Sequence, residues 1–349
     1  AFKWFRMSAE QGDVPAQVCT GVCYDHGKGV AEDANEAIKW YLLAAEQGNA
    51  NAQFYLALCY ENMNGWQENN KESAKWFRKA AEQGNVGAQV CLGSFHEQRK
   101  DLEDKMEAVK WFRLAAAQGN ALGINKLGLC YVNGSGVKKN LTKAIYWFRK
   151  AAEQGDAFGQ CNLGSAYVNG EGVEKDKMEA VKWFRLAAEQ GYANAQFNLG
   201  LRYETGKGVR QDDKQAVKWY QKAAEQGHQR AIAYLGYMYE KGYGVSMDER
   251  KAFDLYQQSL SARVPRALTA LGLFYKNGRQ VKADDKKAAE LFLLAAEQGY
   301  ANAQYNLGWM YEYGRGVGKD LIKARDWYQR AAEQSEPLAQ AQLSRLLNP

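Results

Sequence analysis

Apolar side chains recur along the chain at three- and four-residue intervals, in blocks broken by short glycine-bearing stretches, which is the pattern of amphipathic helices. The stretch 193–228, ANAQFNLGLRYETGKGVRQDDKQAVKWYQKAAEQGH, shows it most clearly. Ala195, Leu199 and Tyr203 fall four apart with Gly200 beside them, one face of a first helix. Ala216, Trp219, Tyr220, Ala223 and Ala224 form the matching stripe of a second. Between the stripes Gly206 and Gly208 mark a tight connection, because glycine tolerates the positive φ that ends a helix and turns the chain. Asp212 or Asp213 is placed to cap the second helix by accepting from its free amides, and Gly227 to stop it. The small residues let backbones approach closely while Trp219 and Tyr203 fill the space between.

This pair of stripes repeats. AAEQG begins at 44, 80, 151, 187, 223 and 295, with SAEQG at 8, AAAQG at 115 and AAEQS at 331, spaced 36 residues apart and once 35. The one gap in the series, SLSAR at Ser259–Arg263, keeps the register. The period predicts a single domain over 1–349: nine complete repeats at about 14–48, 50–84, 86–119, 121–155, 157–191, 193–227, 229–263, 265–299 and 301–335. A half repeat is expected at 1–12 and a C-terminal helix at 337–347, its Leu338, Leu343, Leu346 and Leu347 serving as a cap. The chain opens at Ala1 in the middle of a repeat, which reads as an array that is longer on that side. Four or five large side chains per unit cannot offset the conformational entropy of ordering it alone, so each repeat must bury its surface against its neighbours.

The pattern AxAQxxLGxxYxxGxGV followed by KAxxWYxKAAEQG resembles the Sel1-like repeat family, a relative of the tetratricopeptide repeat, over essentially the whole chain. The resemblance implies an all-α, right-handed α-α superhelix, or solenoid, whose first helices line a concave groove. It also implies a role in holding another protein or peptide, in bacterial proteins of the envelope or acting on host proteins, or in eukaryotic protein degradation at the endoplasmic reticulum. A bacterial envelope or secreted protein is the favoured reading, with the cytoplasm left open. The cysteine-rich Helicobacter relatives carry a paired cysteine set in each unit; this chain departs from that.

Composition narrows the alternatives. In 349 residues, 25% are charged, 13% aromatic and only four are proline, the make-up of an ordinary folded chain. No run approaches the 18 apolar residues of a membrane span. The net charge of +6 is spread along the chain and gives weak support for an acidic partner. Six cysteines, at 19, 23, 59, 91, 130 and 161, crowd the first half without regular pairing. Equivalent positions in adjacent repeats lie about 10 Å apart at helix-packing distances, too far for a disulfide, so free thiols are expected.

Catalytic chemistry has little to work with: His26, His96 and His228 sit in separate repeats, and no catalytic residue, cofactor or metal is assigned. Cys19, Cys23 and His26 share a helix face and could offer three ligands to zinc, but no fourth is evident. Cys23, Cys59 and Cys130 occupy the position of Met238, Phe274 and Met310, so cysteine there reads as a small core residue. The GxGV stretches at Gly27, Gly134, Gly170, Gly206, Gly242 and Gly314 follow helices and lack the strand and Lys-Ser/Thr of a phosphate loop; they are turns. Arg78, Arg113, Arg149 and Arg185 recur beside aromatics, but Glu82, Glu153 and Glu189 lie four residues from three of them. Surface pairing is expected, and no nucleic-acid partner.

On the first helices, the face opposite the core stripe varies from repeat to repeat and is rich in aromatics and amides. Asn162, Asn194, Asn198, Arg202, Tyr234, Tyr237, Asn306, Trp309 and Tyr313 are the expected partner contacts. Tyr, Trp and Arg bury large areas while keeping a polar end, and asparagine amides can hold a peptide backbone. Phe197, Leu201 and Leu273 share this face, where positions 197 and 201 either line the groove or pack between helices. The chain is expected to be monomeric. A glycan- or peptidoglycan-recognition module is the alternative from another class, and a hydrolase a distant third. Two regions break the pattern: 63–66 (MNGW) and 98–102 (QRKDL) have lost GxGV, and the junction after Ser259 reads SLSARVPRA. These are either specialised surfaces or drift in tolerant loops, with Trp66 a substitute for the missing valine. The Glu-Gln before the helix-ending glycine has no evident reason in the sequence.

Overall fold

The computed structural model of the chain describes residues 1–64 and 71–347, and Trp66 lies outside them. The described residues hold twenty α-helices, one short 3-10 turn and no strand. They fall into two compact units, Ala1–Lys175 and Asp176–Pro349. The first contains α1 (Phe2–Glu10), α2 (Val14–Asp25), α3 (Ala34–Glu46), α4 (Ala50–Asn64), α5 (Lys71–Glu82), α6 (Val86–Glu97), α7 (Leu102–Ala117), α8 (Ala121–Asn133), α9 (Leu141–Glu153) and α10 (Ala157–Asn169). The second contains α11 (Lys177–Glu189), α12 (Ala193–Thr205), α13 (Asp213–Glu225), α14 (Gln229–Lys241), α15 (Glu249–Gln258), α16 (Pro265–Asn277), α17 (Asp285–Ala296), α18 (Ala301–Tyr313), α19 (Leu321–Glu333) and α20 (Pro337–Leu347). Within each unit every helix packs on the one before and the one after it. Even-numbered helices are the first of a repeat and odd-numbered ones the second.

Boundaries follow from capping. Asp33, Asn140, Asp176, Asp212, Asp248, Asp284 and Asp320 each accept from a backbone amide in the first turn of a second helix. Of the two candidates in the sixth complete repeat Asp212 is therefore the cap, while Asp213 opens the helix. First helices are capped likewise by Asp13, Asn49, Asn85, Asn120 and Asp156.

His228 takes this capping role on α14. Its Nδ1 accepts from the Ala231 amide at 3.1 Å, so that nitrogen is unprotonated, and Nε2 sits 3.0 Å from Asn194 Oδ1. Burial, with Arg230 adding to it, holds its pKa below the usual value. The sign follows: as pH falls through about 6.5 the unfolded chain takes up the proton first, so stability declines until the folded pKa is passed. His228→Asn caps without titrating, as Asn49 and Asn85 do. Its melting temperature is expected to fall less than that of wild type between about pH 7 and pH 5. Parallel melting curves over that range would count against the capping role.

The core stripe follows the periodicity: Ala195, Leu199, Ala216, Tyr220 and Ala223 are fully buried, Tyr203 and Trp219 nearly so, and only Ala224 is half-buried. Gly200 is required by the contact it makes. A Cβ there would stand 2.7 Å from the Tyr220 ring, and the same glycine faces the ring of Phe112, Phe148, Tyr256, Phe292 or Tyr328 in other repeats. The phenol-bearing repeats share a second feature. Tyr220, Tyr256 and Tyr328 donate to Glu204, Glu240 and Glu312, sixteen residues earlier. Where the ring is Phe148 or Phe292, that earlier position holds Val132 or Lys276.

The retained glutamines have a structural reason. Gln17, Gln53, Gln89, Gln160, Gln196 and Gln304, buried on first helices, donate to the alanine carbonyl eight residues back, at the end of the preceding second helix. Five of their side-chain oxygens accept from Gln47, Gln83, Gln118, Gln226 and Gln334, the glutamine at the fourth position of the AAEQG string in the same repeat. A chain of amides thus joins successive second-helix ends through the first helix between them. SLSAR departs at both partners together: Ile232 stands where the glutamine acceptor would be and Ala262 where its donor would be. There the chain makes a 3-10 turn, Leu260–Ala262, and leaves it through Arg263 at φ 51°.

At the C-terminal end Ala339 is fully buried against Ala324, Tyr328 and Ala331, with Leu343 and Leu346 packed alongside. Leu338, expected in that cap, is instead 57% exposed, because the buried stripe runs through its neighbour.

Candidate protein-binding surface

In the second unit, α12, α14, α16 and α18 bring several of the expected residues together. Tyr234 and Tyr237 on α14 flank the guanidinium of Arg266 from α16, their ring centres 4.0 and 4.2 Å away. Arg266 Nη1 lies 3.3 Å from Glu204 Oε1 on α12, and Glu204 also takes the Tyr220 hydroxyl. Burial works against the Arg266 charge, but Glu204 together with Tyr234 and Tyr300 more than offsets it, so the pKa is raised. Burial, then the Glu204 charge, holds the Tyr220 phenol far above its ordinary range. The array sets one cation against one carboxylate, with two rings packed on the cation. Beside it opens a cleft of about 300 Å³ lined by Tyr237, Arg266, Thr269, Leu273, Tyr300 and Asn302.

A second cluster forms on α16 and α18. Trp309 and Tyr313 lie with ring centres 4.9 Å apart, and the Lys276 ammonium sits 3.8 Å over the Trp309 ring. Burial, with Arg315 adding to it, lowers the Lys276 pKa. Tyr313 is 49% exposed, an aromatic surface available to a partner.

The remaining expected residues are placed differently. Asn194 is exposed, and its amide donates to the Tyr192 hydroxyl at 3.0 Å. Asn198 is half-buried. Asn306 is buried, and its Nδ2 donates to the Asn302 carbonyl of its own helix at 2.7 Å. Asn162, in the first unit, has a buried Nδ2 without a hydrogen-bond partner. Arg202 stands in the column of Cys23, Cys59, Cys130, Met238, Phe274 and Met310, a core column. It is half-buried, its Nε has no partner, and burial lowers its pKa. Phe197 is resolved in favour of packing: it is 2% exposed, stacked on His228 and edge-on to Tyr234.

Arg266, Glu204 and Lys276 were not among the expected contacts. Glu204 and Lys276 share one position of the repeat, where the change of sign was readable, and Arg266 shares another with Asn194, Arg230 and Asn302. The recurring arginines also differ from expectation. Arg113, Arg149 and Arg185 donate to the hydroxyls of Tyr131, Tyr167 and Tyr203, eighteen residues on, rather than to glutamates one turn away. A phenol at the edge of the core needs a polar partner, and the next repeat's tyrosine lies within reach.

None of the six cysteines is in a disulfide, and burial pushes the Cys59, Cys91 and Cys130 thiols up to about 11, which makes them weak nucleophiles. Cys23 is buried, and His26 ends α2 with Nδ1 3.5 Å from Asp25. Among the described residues no group of three or more His, Cys, Asp or Glu side chains could hold a metal ion. None of their helices is long and apolar enough to cross a membrane.

The Sel1 repeat family model matches residues 1–13, 15–49, 50–85, 88–120, 121–156, 157–192, 193–228, 229–262, 265–300 and 301–336. The chain belongs to the Sel1-repeat family. No curated protein matches the sequence. Among solved structures it is similar to c5321, a protective antigen present in uropathogenic Escherichia coli strains and displaying an SLR fold. The two are 38% identical with a TM-score of 0.78, over 99% of this chain and 74% of that one. It is also similar to a Sel1 repeat protein from Oxalobacter formigenes, at 34% identity and a TM-score of 0.57, over 88% of this chain and 90% of that one. The fold is an all-α solenoid of Sel1 repeats, a class that generally mediates protein–protein interaction and is typically a non-enzymatic scaffold.

Proposed function

We propose that the chain is a binding scaffold that holds an extended segment of a partner protein on the first-helix face of its second unit, anchored at the Tyr237–Arg266 cleft and the Trp309–Tyr313 pair. The observation that carries this is the clamped guanidinium: Arg266, fixed between two tyrosine rings and a carboxylate, presents a preorganised wall to the cleft beside it. Preorganised aromatic and arginine groups lose little entropy on binding and supply most of the affinity at interfaces. The likeness to a bacterial protective antigen supports a bacterial envelope or host-facing setting.

Partners captured from envelope and host lysates by the wild-type chain, and then measured individually, test the proposal. Tyr237→Ala and Trp309→Ala should each weaken a bound partner by about tenfold or more, and soluble peptides from that partner should compete. Wild-type affinity in both variants refutes this surface. Competition by sugars and not by peptides would move the reading to glycan recognition, for which stacked aromatics are also suited.

A further inference from the structure

The third complete repeat departs from the others at three linked places. Its loop is one residue short and lacks GxGV, and α7 begins early, at Leu102. Asp104, which aligns with the capping Asp or Asn of the other second helices, is therefore inside α7 and no longer caps. It bonds instead to His96, Oδ1 to Nδ1 at 2.7 Å. His96 in turn stands where the other repeats have the tyrosine of LGxxY. The arginine that would bind that tyrosine's hydroxyl is Arg78, eighteen residues earlier, the counterpart of Arg113, Arg149 and Arg185. Arg78 has lost the phenol that its counterparts donate to.

In the fourth and fifth complete repeats, which keep GxGV, the loop is seated on the start of the preceding second helix: a Cβ on Gly136 or Gly172 would lie 2.1 or 2.5 Å from a carbonyl oxygen there. The short connection between α6 and α7 carries no such loop, and over α5 there is a cleft of about 410 Å³. Among the described residues, Lys71, Lys75, Arg78 and Lys79 line it against one carboxylate, Glu82. Of these, Lys75 is paired with Glu72 and Lys79 lies over Trp76. His96 also lines the cleft. It is 7% exposed, Nδ1 is engaged by Asp104, and Nε2 has no hydrogen-bond partner. Phe95 supplies an apolar wall.

We propose that this cleft binds a phosphoryl group, free or as a monoester, with the Arg78 guanidinium as its principal contact. A guanidinium fork fits two oxygens of a tetrahedral oxyanion at once, and the neighbouring lysines add charge. Phosphate also suits a ring nitrogen in either state, since it can donate through its own O–H or accept from N–H, whereas a carboxylate can only accept. The volume exceeds that of bare phosphate, so an ester can lay its organic part on Phe95.

Calorimetric titration of the full chain with inorganic phosphate and with phenyl phosphate tests this. Saturable binding of both is expected, phenyl phosphate the tighter. Equal binding would still support the site, with free phosphate as its occupant. Arg78→Gln should weaken both by about tenfold or more. His96→Tyr should do the same by restoring the hydroxyl that occupies the arginine, with a melting temperature at or above that of wild type. That variant separates loss of the site from loss of the fold. No saturable binding by the wild-type chain, or unchanged binding in both variants, overturns the proposal.

Discussion

Replacing Gly208 by alanine is expected to destabilise the second unit by about 3 kcal/mol or more, adding the strain of a forced left-handed residue to that of overpacking. At φ +85° the backbone is in a region that L side chains avoid, and a Cβ would stand 2.0 Å from the Lys177 carbonyl oxygen. Neither atom can yield without moving a helix start. Gly227 provides the internal comparison: its φ is +77°, but nothing lies within 4 Å of its Cβ position. Gly227→Ala should therefore cost only the conformational part, about 1 kcal/mol. Because repeat arrays can unfold in parts, the measurement is amide exchange across α11 to α13 alongside urea unfolding. Equal effects of the two alanines would mean that the loop is not seated on Lys177.

The second large effect is expected at the clamped arginine. Arg266→Met leaves the Glu204 carboxylate, whose side chain is 14% exposed, without its counter-charge. Full burial would cost about 3–5 kcal/mol; with Arg266 itself 23% exposed, about 2 kcal/mol is the better expectation. Glu204→Gln keeps an acceptor for Tyr220 while removing the charge. In the Glu204→Gln background the arginine replacement should cost at least about 1 kcal/mol less than it does alone, the coupling expected of residues in one network. Strict additivity in the double-mutant cycle would show that Arg266 is held by the tyrosine rings alone.

How far the sequence could be read depended on the range of each interaction. Helical stripes such as Ala195, Leu199 and Tyr203 are local, and their period of 36 residues gave the repeats and most of the core directly. Column comparison also contained more than the local reading used: Arg202 aligns with Cys23 and Met238, and His96 with the LGxxY tyrosine, so both departures were visible without coordinates. Hydrogen bonds between side chains thirty residues apart were not. The partner of the AAEQG glutamine lies most of a first helix, a loop and a whole second helix away, and nothing in either helical stripe announces it. Arg266 stands in the column of Asn194, Arg230 and Asn302, so its place on the first-helix face was readable; its partner Glu204, 62 residues earlier, was not. The expected contacts Tyr234, Tyr237, Trp309 and Tyr313 share faces with aromatic or cationic neighbours, whereas Asn306 bonds to its own helix, a choice of rotamer that residue type does not reveal.

The glutamine chain has a consequence for how such arrays change length. A module that keeps the pair brings its own acceptor and its own donor, as Gln196 and Gln226 do, and asks of its predecessor only a backbone carbonyl, which any sequence supplies. A module copied or deleted whole therefore strands no buried amide at the new joint. An array of such modules can grow or shrink by single units without first evolving a compensating surface, because the pairing is inherited with the segment that needs it.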